Sequence, residues 1–570
     1  MDFLTVVCTP LISAHAMNGD DVISRCFLTQ ENEAEWRSWM DRALDQALEI
    51  LRPRAGGKIC SDVSLQELER IFCETAAPGD GLPLESVFRE AGEKVLAHSV
   101  RVADPRFVGH MTGALPYFGL LADILISSLN QNVVKIETAL SASFVEKQTL
   151  AWLHRAIFAK SGQFYHNAMH RTDVALGNVT NGGTMGNLTA LTVARNLMLP
   201  NAATDGLTAA MMDKGLRRLV ILASKRVHYS VKKAAAVLGI GMRNVIEIPV
   251  ESGTNKISIA ALEATLNQLE SHKTGVLALV GIAGTTETGS VDDLRAMARL
   301  AQDRGIWFHV DAAWGGPLVF SEKHRGLVAG IEEADSVVLD GHKLFYLTMS
   351  HGVVLFRNER SLDAIRHSAN YIIRPGSVDL GRTSLEGSRA FDSFKLWFFL
   401  KTMGKNGYEA LIDHSLETAR GYAVLAEAHP SFELTSSPET NILTYRFVPP
   451  AWLPVLRDLR GRGEPGAREA MCLHFANDFL SDVNIEIQKH QRLEGLSFVS
   501  RTTLESVYPD SKVAVLRAVL MNPFTTPAII ADILADQVRI GTDVLREKWP
   551  QAETMMPTGF KDVFGPWPGW

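Results

Sequence analysis

HVDAAWGG, residues 309–316, and DGHK, residues 340–343, each close a short apolar run: GIWF leads into the first and ADSVVL into the second. Continuous apolar runs of four to eight residues bounded by polar turns are the pattern of strands buried on both faces, as in a mostly parallel sheet covered by helices. In such open α/β sheets ligands collect at the carboxyl ends of the strands, and both motifs fall there. Asp311 and Lys343 are 32 residues apart. Taken singly, Asp311 reads as a helix cap or a turn residue and the His342-Lys343 pair as an ordinary polar turn. Their order and their neighbours give them weight.

Outward from these motifs the same grammar repeats. RRLVILA (217–223), TGVLALVGIA (274–283) and GVVLFR (352–357) are strand-like, and helical stretches separate them. TNGGTMGNLTAL, from Thr180, joins a strand to a helix, so Gly182, Gly183 and Thr184 offer backbone N–H groups and a hydroxyl at a helix N-terminus, where a phosphate is favoured. His228 opens another helix after RRLVILA, and GTTETG, with Thr286, follows TGVLALVGIA. On its own, His228 reads as a satisfied core histidine. Together, four strand ends supply a phosphate cradle, an imidazole, hydroxyls and a carboxylate, and a fifth supplies a lysine.

The 570 residues exceed one ordinary core and predict three parts: a helical N-terminal arm over 1–110, a large α/β domain over 111–400 and a small α+β domain over 401–570. The arm rests on the 3.6-residue periodicity of EAEWRSWMDRALDQALEILR and SLQELERIFCETA. The small domain rests on the amphipathic stretches 395–428 and 525–541, which flank NILTYRFV and KVAVLRAVL. GRGEPGAREA (461–470) reads as a surface loop. The opening MDFLTVVCTPLISAHA carries an Asp and no Lys or Arg before its apolar run, so it reads as part of the fold and not as a secretory signal.

With 57 Lys and Arg against 64 Asp and Glu, a net charge of −7 and no basic stripe, nucleic-acid binding is not expected. No apolar run reaches the roughly 20 residues of a membrane span. The five cysteines, Cys8, Cys26, Cys60, Cys73 and Cys472, have no CxxC spacing. That argues against a metal site or a disulfide framework and for a reducing cytoplasm.

GNVTNGGTMGNLTAL, VHYSVKKAAAVLGIG, GTTETGSVDDL, HVDAAWGGPL, ADSVVLDGHK and LRAVLMNP resemble, in order, the motifs of the fold-type I PLP enzymes, and among them the group II amino acid decarboxylases. The resemblance runs from about Phe107 to Gly541. It implies pyridoxal 5′-phosphate (PLP) held covalently by Lys343, with Asp311 on its pyridine nitrogen and Ala313 and His228 against its two ring faces. His228 is also a proton carrier in this reading. Gly183, Thr184 and His342 would hold the phosphate, and Thr286 the oxygen side of the ring.

It further implies that a loop, here HSANYIIRPGSVDLG (367–381), brings Tyr371 over the neighbouring subunit's site to protonate Cα, so a homodimer with shared active sites is expected. A phenylalanine at that position would imply aldehyde formation; the tyrosine implies simple decarboxylation. Arg517 corresponds to an arginine that grips a distal carboxylate, and guanidinium suits that task because it binds carboxylate bidentately. His110 stands where glutamate enzymes carry a glutamine, which leaves the length of the substrate side chain open.

TGALPYFGLL, NQNVVKIET, YIIRPGSVDLGRTSLEGSR and GKNGYEALID are most similar to a bacterial branch of PLP-dependent aspartate 1-decarboxylases. The expected substrate is therefore an acidic L-amino acid, with aspartate to β-alanine before glutamate to 4-aminobutanoate. Two other readings stand beside it. One is a different fold-type I reaction, such as carbon–carbon or carbon–sulfur cleavage or decarboxylation coupled to aldehyde formation, since the coenzyme permits several bond cleavages. The other is a non-enzymatic PLP-binding regulator, which would have no need to keep both Lys343 and Asp311.

Overall fold

The computed structural model describes residues 23–24, 26–53, 56–270, 273–367, 376–462, 465–505, 507–508 and 511–565. The opening stretch read as part of the fold, and Tyr371, lie outside the described residues.

Seven strands form the large sheet: β1 (Gly177–Thr180), β2 (Arg218–Ser224), β3 (Val245–Ile248), β4 (Thr274–Ile282), β5 (Trp307–Asp311), β6 (Ser336–Asp340) and β7 (Gly352–Phe356). Their order is β1-β7-β6-β5-β4-β2-β3. The pairs β2–β3, β2–β4, β4–β5 and β5–β6 are parallel. β7 runs antiparallel to both β6 and β1. The reason lies in the connection: residues 341–351 are too few for the helical crossover that a parallel return requires, so the chain turns straight back. That tight return carries Lys343. Every residue of β1, β6 and β7 is buried, as expected of strands covered on both faces.

A second sheet, wholly antiparallel, is ordered β10-β11-β9-β8 from β8 (Phe432–Ser436), β9 (Ile442–Phe447), β10 (Ser500–Leu504) and β11 (Val513–Val519). Long helices Ala467–Glu494 and Pro527–Thr554 pack on it. Of the loop expected over 461–470, residues 461–462 end helix Leu453–Arg462 and 467–470 begin the next helix, while 463–464 lie outside the described residues.

Helix Ser393–Ala428 spans residue 400 and ties the two sheets together. It kinks at Gly404 (φ +66°), a conformation open to glycine because it lacks a Cβ. Before the kink Phe399 packs on Phe118, with ring centroids 4.7 Å apart; after it Tyr422 packs on Tyr445 of β9 at 5.3 Å.

In the N-terminal segment, helices Glu33–Leu51, Leu65–Ile71 and Leu84–Glu90 contain no buried residue. Ser64 and Glu67 cap the second one reciprocally. The chain then joins the small sheet. Val108 N–H donates to the Phe498 carbonyl (2.9 Å) and the Val108 carbonyl accepts from Val519 N–H (2.7 Å), which delivers Gly109 and His110 to the junction of the two sheets. Among the described residues no helix is long and apolar enough to cross a membrane.

Candidate active site

A cavity of about 460 Å³ opens at the carboxyl ends of the large sheet's central strands. Asp311 ends β5, Ala313 follows it, and Lys343 lies three residues beyond the end of β6; all three line the cavity. Gly183, Thr184, His228, Thr286 and His342 are also among the lining residues.

Asp311 is held by two donors: the Asn187 amide reaches its Oδ2 at 2.9 Å and the Ala313 N–H its Oδ1 at 3.2 Å. A relay behind Asn187 has a readable direction. The Asn187 Oδ1 can only accept, so His309, 2.8 Å away, carries its proton on Nε2; the Nδ1 of His309 then accepts from Ser336 Oγ at 2.8 Å. The Asn187 amide also donates to Ser230 Oγ (2.9 Å), which leaves the hydroxyl proton for His228 Nδ1 at 2.8 Å. His228 therefore keeps its own proton on Nε2. Burial lowers the pKa of His228, against the opposing pull of Asp311, and lowers that of buried His309 to about 4, so both rings are neutral near pH 7.

Helix Gly183–Met198 begins at the cavity wall with Gly182 as its N-cap (φ +133°). Its first N–H groups have no partner within the helix, and the helix dipole adds partial positive charge there. A Cβ on Gly183 would stand 3.1 Å from Asp340 Oδ2 and 3.3 Å from the Ala313 methyl, so the loop is closely packed from below. His342 Nδ1 meets the His351 backbone twice, its carbonyl at 2.7 Å and its N–H at 3.2 Å, and the Nε2 edge stands 3.8 Å from Asp340.

Arg517 and His110 are not among the residues lining the cavity; they stand beside it. Arg517, on β11, donates from Nε to the Thr286 carbonyl (2.7 Å) and from Nη1 to the Gly109 carbonyl and Ser500 Oγ (3.0 Å each). Burial lowers its pKa to about 10, partly offset by Glu287, so it stays charged at neutral pH. The same burial, with Arg517 nearby, lowers the pKa of His110.

Sequence reasoning did not single out Asn187, Ser230, His309 or Asp340. The first three sit inside motifs quoted for other residues, and their relay depends on side-chain directions that spacing does not carry. Asp340 was legible as the first letter of DGHK, at the end of a strand pointing into the site.

The model of the pyridoxal-dependent decarboxylase conserved domain matches residues 67–448. The chain belongs to the pyridoxal-dependent decarboxylase family. This decarboxylase is 40% identical over 494 residues to the aspartate 1-decarboxylase of Aliivibrio fischeri, covering 85% of this chain and 88% of that one. It is 28% identical over 386 residues to the L-2,4-diaminobutyrate decarboxylase of Acinetobacter baumannii, covering 65% and 72%. Among solved structures it superposes on mouse CSAD with a TM-score of 0.76 at 26% identity, over 90% of this chain and 99% of that one.

Its cofactor is pyridoxal 5′-phosphate, and the cavity fits that group. A glycine-started helix N-terminus offers N–H donors for an anion, an amine stands at Lys343, and Asp311 is a carboxylate fixed by two donors at the end of the adjacent strand. On the same wall the buried Asp340 Oδ1 has no hydrogen-bond partner among the described residues.

Proposed function

We propose that this decarboxylase acts on an acidic L-amino acid, converting L-aspartate to β-alanine in preference to L-glutamate to 4-aminobutanoate. The observation that carries the reading is the charged, buried Arg517 beside the cavity, whose hydrogen bonds go to three neutral acceptors and to no carboxylate among the described residues. The kinship with an aspartate 1-decarboxylase supports it.

When bound, pyridoxal 5′-phosphate supplies an electron sink for the pair left at Cα as CO2 departs. The chain's own residues do the rest in this reading. Lys343 holds the coenzyme through its amine. Asp311, kept in place by Asn187 and the Ala313 N–H, keeps a proton on the pyridine nitrogen. Gly183, Thr184 and His342 hold the phosphate, and Thr286 the oxygen side of the ring. Ala313 and the neutral His228 face the ring from opposite sides, and the Nε2 proton of His228 is the one it can give. Arg517, with His110, orients the substrate's distal carboxylate. Tyr371 returns a proton to Cα.

The decarboxylase is read as a homodimer. Tyr117, Leu121, Leu125 and Leu129 form an exposed apolar stripe along helix Phe118–Leu129, and the N-terminal helices bury none of their residues within the chain. Both features call for a partner surface. A cytoplasmic setting is supported by the four described cysteines, all unpaired. Residues 1–110, 111–400 and 401–570 are proposed as arm, large domain and small domain, with the segment at 106–109 running along the small sheet.

A panel of aspartate, glutamate, cysteine sulfinate, 2,4-diaminobutyrate and an aromatic amino acid, read as amine product by mass, tests the substrate. Faster turnover of the diamino or aromatic acids would overturn the proposal. Tyr371→Phe should divert product to aldehyde and ammonia; an unchanged product would remove Tyr371 from its role.

A further inference from the structure

Asp340 has no part in the function argued so far, yet it is the closest charged neighbour of the coenzyme's amine. It is the last residue of β6 and is almost wholly buried. Its Oδ2 forms an ion pair with Lys343 Nζ at 2.9 Å, and its Oδ1, equally buried, has no hydrogen-bond partner among the described residues. Both oxygens border Gly183, the first residue of the helix whose N-terminus favours a phosphate: a Cβ built there would meet them at 3.1 and 3.3 Å.

These positions set two requirements that oppose each other. An ammonium stabilised by a buried carboxylate is not a nucleophile, so attachment of the coenzyme requires Lys343 to lose a proton. A carboxylate beside a bound phosphate repels it, whereas a neutral carboxyl there donates a hydrogen bond. One proton transfer meets both.

We propose that Asp340 is the proton acceptor for Lys343 during coenzyme loading and afterwards keeps that proton towards the coenzyme's phosphate. An N–H bond at Nζ breaks and an O–H bond forms at Oδ2. The electron pair of the broken bond stays on nitrogen as the nucleophilic lone pair. The pair has zero net charge before and after, so loading exchanges no proton with solvent on its account. The titratable groups around the ion pair are His342, on the same turn as Lys343 and 3.8 Å from Asp340; neutral His228, at the head of helix Tyr229–Val237; and Asp311 and Arg226, which line the same cavity. Neutral His228 and twice hydrogen-bonded Asp311 are already committed to the Asn187 relay, and His342 Nδ1 is engaged by the His351 backbone, which leaves Asp340, 2.9 Å from the amine, as its acceptor.

The proposal rests on Lys343 being the coenzyme's anchor. The test follows association of pyridoxal 5′-phosphate with coenzyme-stripped full-length protein by absorbance, in the wild type and in Asp340→Asn, between about pH 7 and about pH 9, above the second phosphate ionisation. The ligand's own titration is common to both proteins and cancels in the comparison. In Asp340→Asn the amine must release its proton to water, so the loading rate should climb with pH about tenfold per unit more steeply than in the wild type. An indicator dye in weak buffer should register about one more proton released per coenzyme bound. Asp340→Ser, which also lacks a carboxyl, should behave like Asp340→Asn and serves in its place if that variant fails to fold. Equal slopes and equal proton release in variant and wild type overturn the proposal. Failure of borohydride to fix the coenzyme on Lys343 in the wild type overturns the anchor assignment instead.

Discussion

Arg517 donates from Nε to the carbonyl of Thr286 across 2.7 Å, so a strand of the small sheet grips the loop that follows β4 of the large one. Replacing Arg517 by Ala strips hydrogen bonds from Thr286, Gly109 and Ser500 and removes the cation. Loss of a charged hydrogen bond to substrate costs roughly 1.5–3 kcal/mol, about 10- to 150-fold in kcat/KM. The loss should fall on acidic substrates, chiefly through KM, and Arg517→Lys should recover only part of it because ammonium cannot make the bidentate contact. Steady-state kinetics on aspartate and on a neutral analogue of similar size separate this from general damage, which would lower both alike.

Asn187→Leu keeps the branching of the side chain and abolishes the relay. Asp311 then loses its 2.9 Å donor, and His309 and Ser230 lose partners within the core. Each buried polar group left unpaired costs roughly 1–3 kcal/mol, so both thermal stability and coenzyme affinity should drop, the latter by at least about tenfold. Equilibrium dialysis of pyridoxal 5′-phosphate measures it; unchanged affinity would detach Asp311 from the role given to it.

Gly183→Ala places a methyl 3.1 Å from Asp340 Oδ2 and 3.3 Å from Ala313 Cβ, tighter than ordinary van der Waals contact. Neither neighbour is a flexible chain end, so the loop has to shift outward where the phosphate is to be held. The fold should survive, because helix Gly183–Met198 continues with nine buried residues behind Gly183. Coenzyme affinity should fall by roughly tenfold or more, equivalent to about 1.4 kcal/mol, with far-UV circular dichroism unchanged.

His154 gives a pH dependence of stability. Its Nε2 donates to the Phe356 carbonyl (3.1 Å) and its Nδ1 accepts from the Tyr165 hydroxyl (3.0 Å), a pattern that only the neutral ring satisfies. Burial is the largest influence and lowers its pKa from 6.5 to about 4. With the folded value below the unfolded one, its contribution is fully present above pH 6.5 and drains away as pH falls to about 4. The loss is on the order of 3 kcal/mol. Urea denaturation followed by tryptophan fluorescence should show this drop in the wild type and a shallower one in His154→Gln.

What the sequence made legible follows from what periodicity encodes. β2, β4, β5 and β6 were visible because burial on both faces leaves an unbroken apolar run, and Asp311, His228 and Lys343 were visible because they stand where such runs stop. The direction of β7 was not, since GVVLFR reads the same in either orientation; the eleven-residue return from β6 fixes it. β3, with a partly exposed face, and β8 and β10, short and Ser/Thr-bearing, gave too weak a contrast to be picked out. The Asn187 relay stayed hidden for another reason: His309 and Asn187 meet across 122 residues, and no local pattern records such a meeting.

Sequence separation also fixes when the site can exist. Arg517 reaches Gly109 across 408 residues and Thr286 across 231, while every residue assigned to the coenzyme lies between Gly183 and Lys343. A chain emerging from the ribosome has therefore synthesised its proposed coenzyme cradle long before the arginine proposed to orient the substrate. A polypeptide interrupted after β7 therefore carries the proposed cradle together with Gly109 and Thr286, but neither the proton donor proposed at Tyr371 nor the arginine that latches those two carbonyls.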